Sequence, residues 1–355
     1  MESLQRHNGL TGRKASAAQA GLERPLDLVT VTPAGLYCPA GDFHVDPHLP
    51  VPRAVLTHAH ADHARRGAQR YLVAAPGRAL AALRLGEDAD IEAIPYGQPL
   101  RLGAVTVSLH PAGHVLGAAQ VRMEHHGQVC VISGDYKLAS DPTCAPFEPV
   151  RCHTFITEST FGLPVYRWPA VAEELGRLHE WWRDNQAAGR TSLVLAYSLG
   201  KAQRLLALLD ASIGPMAVHP AVAPLNAAYR AGGARLPEVP TLDEQVLTQV
   251  RSRGLVIAPP SAGLALKRRL GPCAVAAASG WMLVRGQRRR QGLDAGFVIS
   301  DHADWPGLHE AISASGATTV AVTHGYVHVM VRHLQERGLN AVPLTAGFTG
   351  DAEAE

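Results

Sequence analysis

The run Thr57-His58-Ala59-His60-Ala61-Asp62-His63 places four metal-ligating side chains within six positions. On an extended chain, residues two apart project to the same side, so His58 and His60 can grip one ion together. If the chain then turns into a helix, Asp62 and His63 swing to a neighbouring position and can hold a second ion. Imidazole and carboxylate at this spacing are donors for metal-assisted hydrolysis, in which a cation activates a water and polarises the substrate. The chain is rich in the residue concerned, with 18 histidines, the side chain whose charge changes near neutral pH.

Two ions need more donors, and ligand-type residues close or shortly follow several other strand-like segments. His114 lies in Pro111-Ala-Gly-His-Val-Leu-Gly117, Asp135 ends 129–135, and Glu158 ends 154–158. His302 follows 297–300 and His324 ends 318–324. Ligands collect at the carboxyl ends of strands in layered α/β folds, and together these residues fill the inventory of a dinuclear site. The Asp135 carboxylate can bridge two ions, a task ill suited to a single imidazole.

The elements that position these groups are legible around them. Between residues 28 and 159, β-branched or alternating runs at 54–57, 105–109, 129–132 and 154–157 are closed by Gly, Pro or Asp and read as strands of a half-buried sheet. Helical spacing of Val171, Leu175, Leu178 and Trp182, a strand at 192–196 and a helix over 200–210 then mark an inserted α/β domain. Within it the Ala/Gly-rich 227–234 reads as a loop. The strand texture returns at 297–300 and 318–323, around a helix at 306–315. Residues 1–24 lack the apolar core of a secretory signal and are expected to form a flexible leader.

Composition sets the outer bounds. A chain of 355 residues, 46% of them hydrophobic, can build two or more domains with sizeable cores. Its formal charge of +2 means that any affinity for a polyanion must come from local clusters. The cysteines Cys38, Cys130, Cys144, Cys152 and Cys273 form no CxxC pair and fit a reducing cytoplasm. The longest apolar stretches fall short of the roughly 20 residues that span a bilayer, so no membrane segment is expected.

His58-x-His60-x-Asp62-His63, His114 and Asp135 together resemble the signature of the metallo-β-lactamase fold, and the later residues resemble its nucleic-acid-cleaving branch, the β-CASP nucleases. In that branch an acid ends a strand (Glu158, in Thr157-Glu-Ser-Thr-Phe-Gly162), a histidine follows the inserted domain (His302, in Ile299-Ser-Asp-His-Ala-Asp304), and a last one sits in a Thr-His-Gly turn (His324). Tyr37-Cys-Pro-Ala-Gly-Asp-Phe43, the block from Glu158 to Pro169, and Ser279-Gly-Trp-Met282 with its Arg-rich sequel are similar to the bacterial ligase-associated DNA exonucleases. The resemblance covers about residues 28–348. It implies an α/β fold, a metallo-β-lactamase αββα sandwich (25–165 and 297–355) carrying an inserted β-CASP α/β cap domain (166–296).

The resemblance further implies two zinc ions, with manganese as the alternative. His58, His60, His114 and Asp135 would hold one, and Asp62, His63, Asp135 and His324 the other. Asp62, Glu158 and His302 are the implied catalytic residues, with Glu158 orienting His302 as the acid for the leaving oxygen. Asp46, with Asp42 as its competitor, is the implied aspartate behind the ligands. The expected activity is a DNA exonuclease of DNA repair that leaves 5′-phosphate and 3′-hydroxyl ends, leaning 5′-to-3′.

The inserted segment would roof the site. Arg285, Arg288, Arg289 and Arg290, supported by Lys267-Arg268-Arg269, can pair with phosphates or form a solvated charge run. Lys201 and Gln203, at the expected start of a helix, read as a phosphate contact or as a plain capped helix. Trp281 stacks a base or is buried, whereas Trp181 and Trp182 belong to a core. His110 is a weak candidate for contact with the ligands. The expected partner is DNA with a single-stranded portion, in functional association with a DNA ligase and a helicase. An RNA-processing β-CASP ribonuclease is the rival reading, favoured by His324. A small-molecule hydrolase of this fold leaves the insertion without a role, and a non-catalytic scaffold would not fill every ligand position.

Overall fold

In the computed structural model, which describes Leu26 and residues 28–344, the first strands assemble into two sheets packed face to face. The leader expected over 1–24 lies outside the described residues. β1 (Thr30–Thr32), β2 (Gly35–Cys38), β3 (Phe43–Val45), β4 (Arg53–Val55), β5 (Arg70–Ala74) and β6 (Ile91–Ile94) form the first sheet in that order, parallel from β3 onward. Helix α1 (Arg78–Leu85) joins β5 to β6 and covers the outer side, where Ala81 and Leu85 meet Ala54, Tyr71 and Val73.

The second sheet starts with β7 (Leu100–Leu102), β8 (Val105–Pro111), β9 (Ala119–His125), β10 (Gln128–Ile132) and β11 (Thr154–Glu158). Val105, Val107 and Leu109 of β8 turn to the first sheet and pack with Leu36, Val45 and Leu72, as the two-residue period of a strand requires. Each such side chain, fully buried, contributes about 1.5–3 kcal/mol.

Helix α2 (Val171–Ala187) leads into a third sheet of β12 (Thr191–Leu195), β13 (Met216–Val218), β14 (Leu255–Ala258), β15 (Cys273–Ala278) and β16 (Ala295–Phe297). Its order is β13-β14-β12-β15-β16, parallel throughout. The intervening helices are α3 (Lys201–Leu208), α4 (Ala223–Ala231), α5 (Glu244–Val250), α6 (Gly263–Leu270) and α7 (Arg285–Arg290). α2 and α3 pack on one face of this sheet and α5 and α6 on the other.

The chain then returns to the second sheet through α8 (Trp305–Ser315), β17 (Thr319–Thr323), α9 (Val327–Glu336) and β18 (Asn340–Pro343), giving the order β18-β17-β11-β10-β9-β8-β7. In β11 the adjacent Phe155 and Ile156 enter different cores, one under α8 and α9 and one between the sheets. A strand buried on both sides has no polar face to alternate with. The body is thus layered helix, sheet, sheet, helix.

Two sequence expectations need correction. Residues 297–300 are not a strand of the first texture: β16 edges the third sheet beside β15, and 298–300 leave the ladder. Side chains take over their backbone groups, the Val298 N–H donating to Glu174 Oε2 at 2.7 Å and the Ser300 carbonyl accepting from Arg204 at 2.6 Å. The stretch 227–234 is not simply a loop, because α4 continues to Ala231. Alanine is the best helix former, Tyr229 is fully buried, and Gly232 caps the end. Cys38, Cys144, Cys152 and Cys273 are free thiols, and among the described residues no helix is long and apolar enough to cross a membrane.

Candidate metal centre

Parallel strands deliver their ends to one rim, and the ligand-type residues arrive with them. Asp46 follows β3, His58 to His63 follow β4, Asp135 follows β10, Glu158 closes β11 and His324 follows β17. β8, antiparallel to β9 as β10 is, ends at the same rim and leads to His114. After His58 the chain makes a single turn and not a longer helix, with the N–H groups of His63 and Ala64 donating to the His60 carbonyl at 3.2 and 2.8 Å. Close approach of backbone is needed twice. A Cβ on Gly134 would lie 2.6 Å from Thr57 Cβ, and one on Gly325 would fall 2.3 Å from the Ser159 carbonyl oxygen. Both glycines, and His324 itself, have positive φ.

The ligand atoms of His58, His60, His114 and Asp135 all lie within 4.8 Å of one another. His60 Nδ1 is 3.0 Å from His58 Nε2 and 3.1 Å from His114 Nε2. The opposite nitrogen of each ring faces a group that can accept its proton. His114 Nδ1 meets the Asp301 carbonyl at 2.7 Å, His60 Nε2 the Leu199 carbonyl at 3.2 Å, and His58 Nδ1 the Thr57 hydroxyl oxygen at 3.0 Å. Outward protons leave three lone pairs pointing inward, the tautomers a metal requires. Burial also keeps these rings neutral, pushing His58, His60 and His114 below the ordinary histidine value.

Beside them lies a more acidic set. His63 Nε2 is 3.4 Å from both Asp62 Oδ2 and Asp135 Oδ2, while its Nδ1 is 2.7 Å from Asp46. Asp46 also accepts from the Thr57 N–H at 2.8 Å and hydroxyl at 2.6 Å. Asp42, its sequence competitor, instead accepts from Tyr37 at the surface. His324 stacks on His63 at 5.5 Å and lines one small cavity with His63 and Asp135. Burial disfavours a charged His63, yet Asp135, Asp62 and Asp46 outweigh it and hold its imidazole well above the usual range. Three carboxylates around one ring call for a cation, and Asp135 Oδ2, 3.5 Å from His58 Nε2, serves both sets. The donors of His58, His60, His114 and Asp135 fit a metal ion, and Asp135 is shared with the more acidic set.

Asp135 also lies within 4.8 Å of Glu158 and His302. His302 Nδ1 contacts both Glu158 oxygens, at 3.0 and 2.9 Å. Burial lowers its pKa, but the facing carboxylate prevails and raises it to about 9. The Trp168 indole fixes the same residue from behind, donating to the His302 carbonyl at 3.0 Å.

A buried charge cluster escaped the sequence reading. Lys137 pairs with Asp141 at 2.7 Å, Arg204 Nε lies 3.5 Å from Asp141, and both Arg204 and Lys201 stand 3.6 Å from Asp301. Through Asp301 this cluster ties α3 to the carbonyl that holds His114. Only the adjacency of Asp301 to His302 hinted at it, since its members have no common spacing.

The expected nucleic-acid contacts fare unevenly. Gln203 is fully buried, accepting from the Gly200 N–H at 2.8 Å and donating to Ser198 and Asn226, so it caps α3 and faces no ligand. Lys201 is buried against Asp301 and the Tyr197 ring, its charge already compensated. Arg289 and Arg290 are exposed on α7, whereas the side chains of Arg285 and Arg288 lie outside what the structure describes. Trp281 is half-buried on Phe161, and Trp182 is in the core. His110 bonds to Glu148 and Ser108 and touches none of the ligands.

No family model matches the chain. A protein named probable DNA ligase from Opitutus terrae is 34% identical over 310 residues, 86% of this chain and 30% of that protein. Endoribonuclease YSH1 of Gibberella zeae is 33% identical over 124 residues, 34% of this chain and 15% of its own length. Cleavage and polyadenylation specificity factor subunit 3 of Dictyostelium discoideum is 32% identical over 122 residues, 34% of this chain and 16% of its own. The chain thus spans less than a third of the length of each. A solved protein of unknown function from Enterococcus faecalis V583 shares the fold, with a TM-score of 0.57 over 82% of this chain and 79% of its own at 13% identity. The named relatives support the family to which the motifs point and leave DNA and RNA both open as substrate.

Proposed function

We propose that this chain is a metal-dependent phosphodiesterase of the β-CASP branch of the metallo-β-lactamase fold, acting as a DNA exonuclease. The observation that carries the reading is the meeting of two imidazole sets on one buried carboxylate, Asp135, with the Glu158–His302 pair at their side. In this reading residues 25–165 and 297–355 form the catalytic body and 166–296 its β-CASP cap. His58, His60, His114 and Asp135 would hold one zinc, and Asp62, His63, Asp135 and His324 the other, with manganese able to substitute. Bound there, the ions would supply an activated water and neutralise charge on the phosphodiester.

The chain's own groups do the rest. His302, kept protonated by Glu158, donates from Nε2 to the leaving sugar oxygen, giving 5′-phosphate and 3′-hydroxyl ends. Asp62, held as a carboxylate by His63 against the effect of burial, would orient the attacking water by accepting a hydrogen bond from it. The exposed Arg289 and Arg290, with Arg285 and Arg288 of the same helix, would guide the strand's phosphates.

DNA is the preferred substrate because the relative matching most of this chain is named a DNA ligase, whereas the endoribonucleases match a third of it. A role in repair beside a ligase and a helicase, in the cytoplasm, with a 5′-to-3′ direction, completes the proposal. The ribonuclease reading is the second one, favoured by those same endoribonuclease names. Strands of DNA and RNA labelled at either end, offered to the wild type, His58→Ala and Asp135→Asn, test it. End-dependent shortening of DNA that both substitutions abolish is expected. Equal shortening by the variants, or a wild type that cuts RNA alone, contradicts it.

A further inference from the structure

The third sheet carries a cavity of about 540 Å³ that this chemistry does not use, within the roughly 300–1,000 Å³ of small-molecule sites. It lies beyond the carboxyl ends of β12 and β15 and beside the start of α6. The α3 helix leaves β12 toward one face of the sheet and α6 leaves the neighbouring β14 toward the other. Such a divergence opens the crevice in which open parallel sheets take their ligands.

The lining specifies the kind of occupant. Ala277 leaves room over the sheet, and Trp281 offers an aromatic wall. Among the described lining residues Lys267 is the one that is charged, and exposed Arg289 and Arg290 immediately precede the lining Gln291. Tyr197 lines the same cavity, its hydroxyl enclosed without a hydrogen-bond partner among the described residues. A largely apolar slot with two aromatic side chains and a cationic lip suits a planar heterocycle attached to a phosphate. An acyl chain or an apolar peptide would have no use for the cations.

Both walls connect to the metal centre through packed side chains. Trp281 packs on Phe161 at 4.7 Å, whose ring is 6.1 Å from that of His302. Lys201 Nζ sits 4.7 Å over the Tyr197 ring and pairs with Asp301, whose carbonyl holds His114. We infer that the cavity is a base-binding subsite: an unstacked nucleobase of the substrate strand lies against Trp281, and an adjoining phosphate meets Lys267. The inference rests on the nuclease reading and adds to it where the strand is gripped.

The test uses the zinc-loaded full chain and a short nuclease-resistant phosphorothioate oligothymidylate in which 5-iododeoxyuridine is scanned along the strand. After irradiation, cross-linked peptides are identified by mass spectrometry, and affinity is measured by anisotropy for the wild type, Trp281→Ala and Lys267→Glu. Cross-links at Trp281 or Tyr197 from a narrow set of strand positions are expected, with affinity about fivefold or more weaker in each variant. Lys267 is exposed, so its variant should fold even if Trp281→Ala does not. Cross-links only outside residues 195–197 and 260–293, or unchanged affinity in Lys267→Glu, overturn the subsite while an ordinary DNA strand is still shortened. A wild type that shortens no nucleic acid overturns the nuclease reading, and the subsite with it.

Discussion

Glu158→Gln removes the charge that keeps His302 protonated yet retains an oxygen for the Tyr136 N–H, which donates to Glu158 Oε1 at 2.8 Å. Burial depresses the His302 imidazole and the carboxylate outweighs it, so the ring titrates at about 9 against an ordinary 6.5. The gap of 9 − 6.5 = 2.5 pH units is about 3 kcal/mol between the two protonation states. Because the folded value is raised, the stability it contributes is full below pH 6.5 and lost as pH rises through about 9. In the variant, burial, the largest effect, outweighs the opposition left from Asp135, and the imidazole falls below 6.5. At pH 8 about nine-tenths of wild-type molecules then carry the proton, against about 3% or fewer of the variant. Initial rates on a labelled oligonucleotide should drop at least about 30-fold at that pH, and the deficit should narrow toward pH 6. Parallel pH profiles of the two zinc-saturated proteins provide the assay. A variant that keeps the wild-type rate and the same alkaline limb would refute the assignment of His302 as the acid.

Asp46→Asn cannot accept from Thr57 and His63 as the carboxylate does, so zinc affinity should fall about 10–100-fold in competition with a chromophoric chelator; an unchanged affinity contradicts its role in aiming His63. Asp301→Ala leaves Lys201 and Arg204 buried without their shared acid and should cost about 3–5 kcal/mol in denaturant unfolding. By contrast, Asp90→Ala, which breaks a surface pair with Arg70, should leave unfolding unchanged. Gly325→Ala drives a methyl group into the Ser159 carbonyl, so bound zinc should fall from two ions toward one by elemental analysis while circular dichroism stays native.

The candidate metal ligands were legible because their chemistry is local. The His58 to His63 run needs only a strand end and one turn to present its donors, and Asp135, Glu158 and His324 each stop an apolar run that could only be a buried strand. Asp46 was readable only with Asp42 as an alternative, because the choice depends on which carboxylate reaches across to Thr57. The cap was harder. Residues 298–300 look like a strand, but Glu174 and Arg204 satisfy their backbone from distant positions, which no short window reveals. Alanine content misled at 227–234, where the buried Tyr229 anchors a helix. Gln203 and Lys201 sit at a helix start that suggested phosphate, while Asn226 and Asp301, far away in sequence, already occupy them. Long-range polar pairing is what the pattern of single residues does not carry.

The central claim is that separate strand ends cage two cations around Asp135. Diffraction from zinc-equilibrated crystals, measured on either side of the zinc absorption edge, addresses it directly. Two anomalous peaks about 3.5–4 Å apart are predicted, one among His58, His60 and His114 and one among Asp62, His63 and His324, with Asp135 between them. A single peak, or peaks remote from Asp135, would contradict the account.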